Sequence, residues 1–303
     1  MPANPQENVL PIEGSGRVLA RYDRRIGSIL AEEGKLGVEG IEQVMQLQQT
    51  NGLRFGEAAL RLGLITEDDL RCAVARQYDL PHLLPGNESI SGELVVAYEP
   101  FHPRAEELRA LRTQLLMRWS RAGVRHRALA IASPGSGEGR SYVTANLAVV
   151  FSQLGERTLL VDADLRTPRQ HRIFNIPDRV GLSGMLKIRC CRGRADRGAV
   201  APVREFGRLS LLPAGAPPPN PQELLSRPAL GVFLQEMWAD FDVILFDTPP
   251  AKLYADAQNV AFRAGNVIML ARKDHTRLAD ATSAIRELSD MGVRVVGTVF
   301  NAF

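Results

Sequence analysis

A glycine-rich segment, SPGSGEGRS at residues 133–141, lies between a short apolar run and the amphipathic segment SYVTANLAVVFSQLG. Where such a loop joins a strand to a helix, its backbone N–H groups and the positive end of the helix can surround a phosphate group. Two positions depart from the usual pattern, because Pro134 replaces the first glycine and Arg140 replaces the lysine. The guanidinium keeps the positive charge but is larger and planar. The segment therefore predicts a modified phosphate loop in an α/β domain.

The chain from His126 onward alternates short apolar runs with amphipathic segments. The runs, rich in Val, Ile and Leu, are ALAIAS, TLLVDAD, LSLLPAG, DVILFDTPP, NVIMLARKD and VRVVGTVFN. Continuous apolar strands are buried on both faces, which predicts a mostly parallel sheet with right-handed crossovers. In such a sheet the ligand binds at the carboxyl ends of the strands.

Acidic residues follow two of these runs at the expected ligand-binding edge. Asp162 ends the second predicted strand, Asp164 comes just after it, and Asp247 ends the fourth. Carboxylates in these places hold Mg²⁺ directly or through water in nucleotide-binding domains, and the Ser141 hydroxyl can be a further ligand. One such aspartate alone could equally be a turn or cap residue. Three signals in this order predict a site for ATP and Mg²⁺.

An internal repeat precedes this domain. Two blocks of 24 residues, separated by QTNGL, align without a gap. Helical apolar spacing that ends at a glycine predicts a short helix with a left-handed cap in each block, and Thr66 with Asp69 predicts a capping-box variant. The blocks therefore predict a helix-turn-helix unit repeated twice. They share an arginine, two glycines and a closing glutamine, which are Arg25, Gly27, Gly34 and Gln48, then Arg54, Gly56, Gly63 and Gln77.

These blocks resemble the paired motif of the MshEN family, the N-terminal domain of type II secretion and pilus ATPases. The resemblance implies a cyclic di-GMP site made by these eight residues, in which the arginines contact guanine and phosphate. The glycines would allow close approach of the backbone. On the helical pattern alone, the alternative is a small docking module whose glycines are only caps.

Changes in composition divide the chain into four segments. We expect a mobile N-terminal segment at 1–20, the MshEN-like helical domain at 21–83, a linker at 84–103 and the phosphate-loop domain at 104–303. The first predicted helix of the last segment carries Glu106, Arg109 and Arg112 on one face. Such a pattern is commonly a solvated charged face. The helix also resembles one that precedes the phosphate loop in bacterial tyrosine kinases, and this resemblance implies contacts between subunits.

The segments SPGSGEGRS, LLVDADLRTPRQHRIF, GLSGML, LLPAGAPPPNPQELLSRP and FDVILFDTPP resemble bacterial tyrosine kinases. With YADAQ and LARKDHTR, the set resembles the EpsG-type chain length determinant protein tyrosine kinases, which belong to the wider class of ParA and MinD ATPases. The resemblance implies an ATP-dependent protein tyrosine kinase that regulates exopolysaccharide chain length, polymerisation and export. It also implies homo-oligomers and a membrane-bound chain length determinant protein as activator.

The resemblance also assigns site residues. Catalytic roles fall on Arg140, Asp162, Asp164 and Asp247, and Mg²⁺ contacts on Ser141, Asp162 and Asp247. Of the first two aspartates we expect Asp162 nearer Mg²⁺ and the attacking hydroxyl, although the two roles can be exchanged. The expected nucleotide contacts are Gly135, Gly137, Glu138, Gly139, Arg140, Ser141, Tyr142 and Asn301. Asn301 corresponds to an adenine contact in the wider class, and a strand-end turn residue is the alternative.

Composition limits the remaining function classes. A net charge of +3 on 303 residues does not require nucleic acid as a partner. The basic segment KIRCCRGRADRGAVAPVREFG lacks interleaved aromatic residues, which predicts a solvated loop rather than a nucleic-acid site. The three cysteines form no metal or disulfide pattern, and no signal peptide or membrane-spanning run is present in the sequence. We therefore expect a cytoplasmic protein that a partner recruits to the inner face of the membrane.

The tyrosines separate two hypotheses about activity. Bacterial tyrosine kinases commonly carry a C-terminal tyrosine cluster, whereas the tyrosines here are scattered at Tyr22, Tyr78, Tyr98, Tyr142 and Tyr254. This distribution favours a ParA/MinD-like switch ATPase that uses ATP for oligomerisation and partner binding over a kinase that phosphorylates itself. A third alternative is a cyclic di-GMP-responsive scaffold, and the retained Ser141 and the aspartates argue against it.

Overall fold

The computed structural model describes residues 26–77, 83, 89–121, 127–192 and 197–302. The chain divides into two compact units, Met1–Leu80 and Pro81–Phe303. Among the described residues, every helix is too short or too polar to span a lipid bilayer.

The described part of the first unit is helical. Its helices are α1 (Ile26–Glu32), α2 (Val38–Asn51), α3 (Phe55–Arg61) and α4 (Glu67–Gln77). Gly34 and Gly63 follow α1 and α3 with φ of 67° and 69°, which confirms the predicted left-handed caps. The capping box also forms, because Thr66 N–H donates to Asp69 Oδ2 at 2.9 Å and Asp69 N–H donates to Thr66 Oγ1 at 3.2 Å.

Two further glycines of the repeat lie where helices pack closely. A Cβ atom on Gly27 would be 2.9 Å from Cζ of Phe55, and one on Gly56 would be 2.5 Å from Cδ1 of Leu70. Phe55 and Leu70 pack against the apolar core of this unit. Gly27 and Gly56 therefore allow close packing between helices. The alternative in which the glycines are only caps does not account for this role.

The second unit is a parallel sheet with helices on both faces. Its described strands are β1 (Arg127–Ala132), β2 (Thr158–Asp162), β3 (Ala201–Pro202), β4 (Leu209–Leu212), β5 (Val243–Asp247), β6 (Asn266–Arg272) and β7 (Arg294–Asn301). The strand order is β3-β4-β2-β5-β1-β6-β7, and only the β3–β4 pair is antiparallel. This architecture confirms the mostly parallel α/β sheet predicted from the sequence.

The helices of this unit cover the two faces of the sheet, and each face carries its own hydrophobic core. They are α5 (Val95–Tyr98), α6 (Pro103–Arg121), α7 (Arg140–Gln153), α8 (Gln170–Ile173), α9 (Leu182–Arg192), α10 (Pro221–Ser226), α11 (Pro228–Met237), α12 (Asp256–Ala264) and α13 (Leu278–Asp290). On β1, Ala128 and Ala130 join the core under α9–α13, whereas Leu129 and Ile131 join the core under α5–α8. Because both faces of the sheet are covered, its strands are apolar along their length.

Strand β3 lies in the basic segment that was predicted to be a solvated loop. Val203 and Phe206, which follow β3, are each 2% exposed. This part of the prediction was wrong, because the segment pairs with β4 and packs at the edge of the sheet. A two-residue strand that contains a proline has no periodicity from which it could be recognised.

Residues 89–103, which fall in the predicted linker, pack against α7. Leu94 and Val96 are fully buried, and Val96 N–H donates to Asn146 Oδ1 at 3.3 Å. Asn146 Nδ2 donates in turn to the carbonyl of Glu93 at 3.0 Å. A buried asparagine thus satisfies the backbone of this segment, which belongs to the second unit.

Gly181 lies where two backbone segments touch. A Cβ atom on it would be 2.3 Å from the carbonyl oxygen of Pro213 and 2.4 Å from the nitrogen of Gly215. Backbone cannot move aside as a side chain can, so Gly181→Ala is expected to destabilise the protein by about 3 kcal/mol in urea unfolding. Gly184→Ala is the control, since a Cβ there has nothing within 4 Å. Equal stability of the two variants would contradict this packing.

Candidate active site

The loop between β1 and α7 contains two left-handed glycines. Gly137 has a φ of 70° and Gly139 a φ of 91°, and α7 begins at the next residue, Arg140. Glycine adopts such angles without strain. Turns of this kind direct successive backbone N–H groups into one concave space, where they can bind an anion. The loop therefore has the backbone form that phosphate binding requires.

The Arg140 side chain turns back beneath this loop. It is 9% exposed, and its Nε donates to the carbonyl of Thr248 at 2.7 Å. Its Nη1 donates to Ser133 Oγ and to the carbonyl of Gly135. Burial lowers the pKa of the guanidinium, while the charge of Asp247 acts in the opposite direction. Arg140 therefore ties the loop to the end of β5 through acceptors of the protein itself.

Glu138 and Asn301 also form hydrogen bonds that hold the loop in place. Glu138 is 2% exposed, and its Oε2 accepts from Gly135 N–H at 2.7 Å. Its Oε1 accepts from the Thr276 hydroxyl. Asn301 Nδ2 donates to the carbonyl of Glu138 at 3.2 Å. The loop is thus held from the side of β6 and β7 by contacts that no local pattern reveals.

Asp162 and Asp247 lie side by side at the carboxyl edge of the sheet. They are partners in the register of β2 and β5, and both are fully buried. Burial is the largest cause that raises the pKa of each carboxyl, to about 6 for Asp247, and the charge of Asp247 raises the pKa of Asp162 further. Two buried carboxylates at one edge favour a cation beside them.

Asp164 and Arg166 hold the turn that follows β2. Asp164 Oδ1 accepts from the N–H groups of Arg166 and Thr167 at 3.1 Å and 2.8 Å. Arg166 Nε pairs with the buried Asp256 at 2.7 Å, and its guanidinium lies 3.8 Å from the centre of the Tyr254 ring. Asp164 is therefore engaged in the turn through Oδ1, and Arg166 is engaged with α12.

The oxygen atoms at this edge fit Mg²⁺ that binds together with a phosphate chain. Asp247 Oδ1 is buried without a hydrogen-bond partner, as expected for an oxygen that a cation completes. The nearby Ser141 side chain, at the start of α7, acts to lower the pKa of Asp247. Within the described ranges, no three His, Cys, Asp or Glu side chains could hold a metal alone. Mg²⁺ commonly uses one or two carboxylates plus substrate phosphates.

A cavity of about 860 Å³ opens beside the loop. Gly137, Gly139 and Tyr142 line it together with Asn301 and with Leu108 of α6. Its volume lies in the usual range for small-molecule sites. The structure therefore brings four of the sequence-predicted nucleotide contacts to one cavity.

Gln170, which the sequence analysis did not single out, also belongs to this site. Its Nε2 donates to Asp247 Oδ2 at 2.8 Å. Its backbone N–H donates to Asp162 Oδ2 at 2.9 Å. Gln170 lies within the segment LLVDADLRTPRQHRIF, but only the fold shows that its side chain reaches the end of β5.

The charged face of α6 is used partly within the chain. Arg109 pairs with Glu106 on the same helix. Arg112 Nη1 donates to the carbonyl of Val150 at 2.7 Å and so joins α6 to α7. Arg112 therefore contributes to the fold, and the contact between subunits stays a prediction.

The repeat residues have mixed positions. Arg25 lies outside the described residues, while Arg54 is exposed at the start of α3 and Gln77 ends α4. Gln48 Nε2 donates to the carbonyl of Leu53 at 3.2 Å in the turn between the blocks. The cyclic di-GMP site stays a prediction.

Known proteins share the phosphate-loop unit. A family model described as ParA, NUBPL iron-transfer P-loop NTPase, matches residues 124–302. The putative tyrosine-protein kinase CapB of Staphylococcus aureus is 30% identical over 214 residues, which are 71% of this chain and 91% of CapB. The chain belongs to the bacterial tyrosine kinase family.

Two further comparisons concern other relatives of this chain. The putative tyrosine-protein kinase EpsB of Ralstonia nicotianae is 34% identical over 203 residues, 67% of this chain, and the match spans 26% of EpsB. The crystal structure of the chimerical protein CapA2B2 superposes with a TM-score of 0.64 and 28% identity, over 76% of this chain and 98% of that chain. The loop, Asp162 and Asp247 of this chain all lie within the range of the family model, and the N-terminal repeat lies outside it.

Proposed function

We propose that this chain is an ATP- and Mg²⁺-dependent protein tyrosine kinase that regulates exopolysaccharide chain length, polymerisation and export. The observation that carries the proposal is the buried Asp247 Oδ1, which has no hydrogen-bond partner and lies at the strand edge beside the phosphate loop. Such an oxygen is costly unless a cation joins it. The tyrosine-protein kinase relatives support the reaction, and the EpsG-type motifs support the role in polysaccharide assembly.

The residues of the site have separate roles in this proposal. The backbone N–H groups of the loop bind the phosphates of ATP, and Asp162, Asp247 and Ser141 hold Mg²⁺. When bound, Mg²⁺ supplies charge neutralisation on the phosphate chain. Asp162 is also the candidate base for the attacking hydroxyl, because its carboxylate ends β2 beside the expected Mg²⁺ site. Arg140 holds the loop, and Asp164 holds the turn beside it.

Incubation with γ-labelled ATP and Mg²⁺ tests this function. Phosphate release and protein-bound phosphate are followed together, with and without the cytoplasmic segment of the membrane-bound partner. Label on tyrosine supports the kinase, and phosphate release without transfer supports a switch ATPase. The absence of both label and release would contradict both functions. Asp162→Ala is expected to abolish whichever activity appears. Asp242→Ala is the matched control, because Asp242 precedes β5 at the opposite edge of the sheet and pairs with Arg157.

A ParA/MinD-like switch ATPase is the second candidate. The observation that favours it is Arg140, whose Nε and Nη1 bond to the protein and not to the open side of the loop. A loop held in this way suits slow turnover, in which bound ATP is used for oligomerisation through α6. Light scattering in ATP and in ADP separates the candidates, since a switch changes its assembly state with the nucleotide and transfers no phosphate.

We propose that a membrane-bound chain length determinant protein recruits the chain to the inner face of the membrane and activates it. The EpsG-type motifs and the likeness to a chimerical protein, CapA2B2, support a partner of this kind. Co-sedimentation with vesicles that carry the partner, against vesicles of the same lipids without it, tests the recruitment. Equal binding to both would contradict it.

We further propose that the first unit binds cyclic di-GMP through the repeat residues. Arg54 is exposed at the start of α3, where its guanidinium can stack on guanine and pair with phosphate. Arg54→Ala is therefore expected to weaken binding by roughly tenfold or more in titration calorimetry. Arg61→Ala is the control, since Arg61 is an exposed arginine at the other end of the same helix. An equal loss in both variants would contradict the assignment.

A further inference from the structure

Gln170 contacts every element that supplies a candidate Mg²⁺ ligand. It is the first residue of α8 and is fully buried. Its Nε2 donates to Asp247 Oδ2 at 2.8 Å and to the carbonyl of Ser141 at 3.1 Å. Its backbone N–H donates to Asp162 Oδ2 at 2.9 Å. One side chain thus links the end of β5 to the start of α7, and its own backbone is linked to the end of β2.

These contacts determine the orientation of the amide. Both hydrogens of Nε2 are directed at acceptor oxygens, whereas a flipped amide would place Oε1 against a carboxylate and a carbonyl. Oε1 therefore faces away from both, and it is buried without a hydrogen-bond partner. Asp247 Oδ1 is in the same state. Two residues that are bonded to each other each keep one buried oxygen without a donor.

We propose that Gln170 is a positioning residue for Mg²⁺, which holds Asp247 through Oδ2 and accepts a hydrogen bond at Oε1 from a water molecule of the metal's hydration shell. The inference rests on the proposed ATP and Mg²⁺ site and adds a residue outside the phosphate-loop and aspartate motifs. Mg²⁺ usually keeps several waters when it binds a protein. A donor from such a water offsets the cost of a buried amide oxygen without a partner.

This role can be measured as the gain in ADP affinity that Mg²⁺ causes, which requires no turnover. The full chain is titrated with a fluorescent ADP in excess Mg²⁺ and again in EDTA, and the gain is the ratio of the two affinities. Gln170→Met fills a similar volume with no donor and only a weak thioether acceptor. It is expected to reduce the gain by roughly tenfold or more, as is typical when a residue that orients a metal ligand is lost. A merely structural role would lower both affinities together and leave the ratio unchanged.

Gln153→Met is the matched control. Gln153 ends α7, away from the loop, and its Nε2 donates to the carbonyl of Val96 at 3.3 Å. This variant is expected to keep the gain of the wild type. If Gln170→Met does not fold, as judged by circular dichroism, Gln170→Asn replaces it. Asparagine keeps an amide in the site but withdraws it by one methylene, so the same loss of gain is expected.

The outcomes separate this inference from the proposed function. An undiminished gain in a folded Gln170 variant overturns the inference and leaves the nucleotide site standing. A wild-type chain whose ADP affinity does not rise with Mg²⁺ overturns both. Failure of both Gln170 variants to fold would assign the residue to the fold and overturn the inference as well.

Discussion

Asp247→Asn is expected to stabilise the nucleotide-free protein at pH 8 by roughly 1–2 kcal/mol and to reduce Mg²⁺-dependent ATP turnover about a thousandfold or more. The stabilisation follows because burial raises the pKa of Asp247 to about 6, so that its charge at pH 8 costs free energy. Asparagine is of similar size, carries no charge and keeps an oxygen that accepts from Gln170. Turnover falls because a neutral amide is a weaker ligand for the cation.

The raised pKa also sets the pH dependence of stability in EDTA. In the unfolded chain the carboxyl titrates near 3.8, whereas in the folded protein it titrates at about 6. The folded state therefore binds more protons between these values, and the contribution is present below about pH 4 and lost as pH rises through about 6. Asp162, whose pKa is also raised, acts in the same direction. Urea unfolding at several pH values measures this effect. As pH rises through about 6, the free energy of unfolding is expected to fall less in Asp247→Asn than in the wild type.

Asp242→Asn is the control of opposite sign. The hydrogen bond from Arg157 lowers the pKa of Asp242, so removal of its charge is expected to destabilise the protein slightly. The effect is small because the pair is exposed to solvent. The assignment of Asp247 would fail if its variant were less stable than the wild type at pH 8. It would also fail if more than about a tenth of the turnover remained.

Arg140→Lys is expected to destabilise the protein by about 2 kcal/mol and to lower ATP turnover by roughly tenfold or more. The planar guanidinium donates from Nε to the Thr248 carbonyl and from Nη1 to Ser133 and Gly135. An ammonium on a flexible stem cannot reproduce this fork. The loop would then lose its tie to the end of β5 and with it the geometry that positions the phosphates. Thermal unfolding and single-turnover rates measure the two effects.

Arg157→Lys is the control for this substitution. Arg157 also forms a forked pair, at 2.7 Å to Asp242, but on the surface, so little change is expected. A gain in turnover by Arg140→Lys at unchanged stability would contradict the assignment. It would mean that the ammonium reaches the phosphates directly and that arginine keeps the native loop slow.

The sequence was sufficient for features that depend on neighbouring residues. The left-handed caps at Gly34 and Gly63 and the box of Thr66 and Asp69 follow from local backbone chemistry, and all are present in the structure. The apolar runs predicted the parallel sheet in the same way, because strands that are buried on both faces are apolar along their length. Strand β3 was missed because pairing with β4, and not any local pattern, makes its two residues a strand.

The same distinction between local and long-range features applies to the candidate site. The sequence by itself determined the chemical groups and the strand ends that carry them, because an aspartate after a buried parallel strand must lie at the carboxyl edge of the sheet. Only the tertiary structure decided that β2 lies next to β5, which makes Asp162 the neighbour of Asp247. It also decided that Arg140 turns beneath the loop and that Gln170 joins both aspartates. Apart from the hydrogen bond between Gln170 and Asp162, these contacts join residues far apart in the chain, so they depend on strand order and packing, which local spacing does not encode.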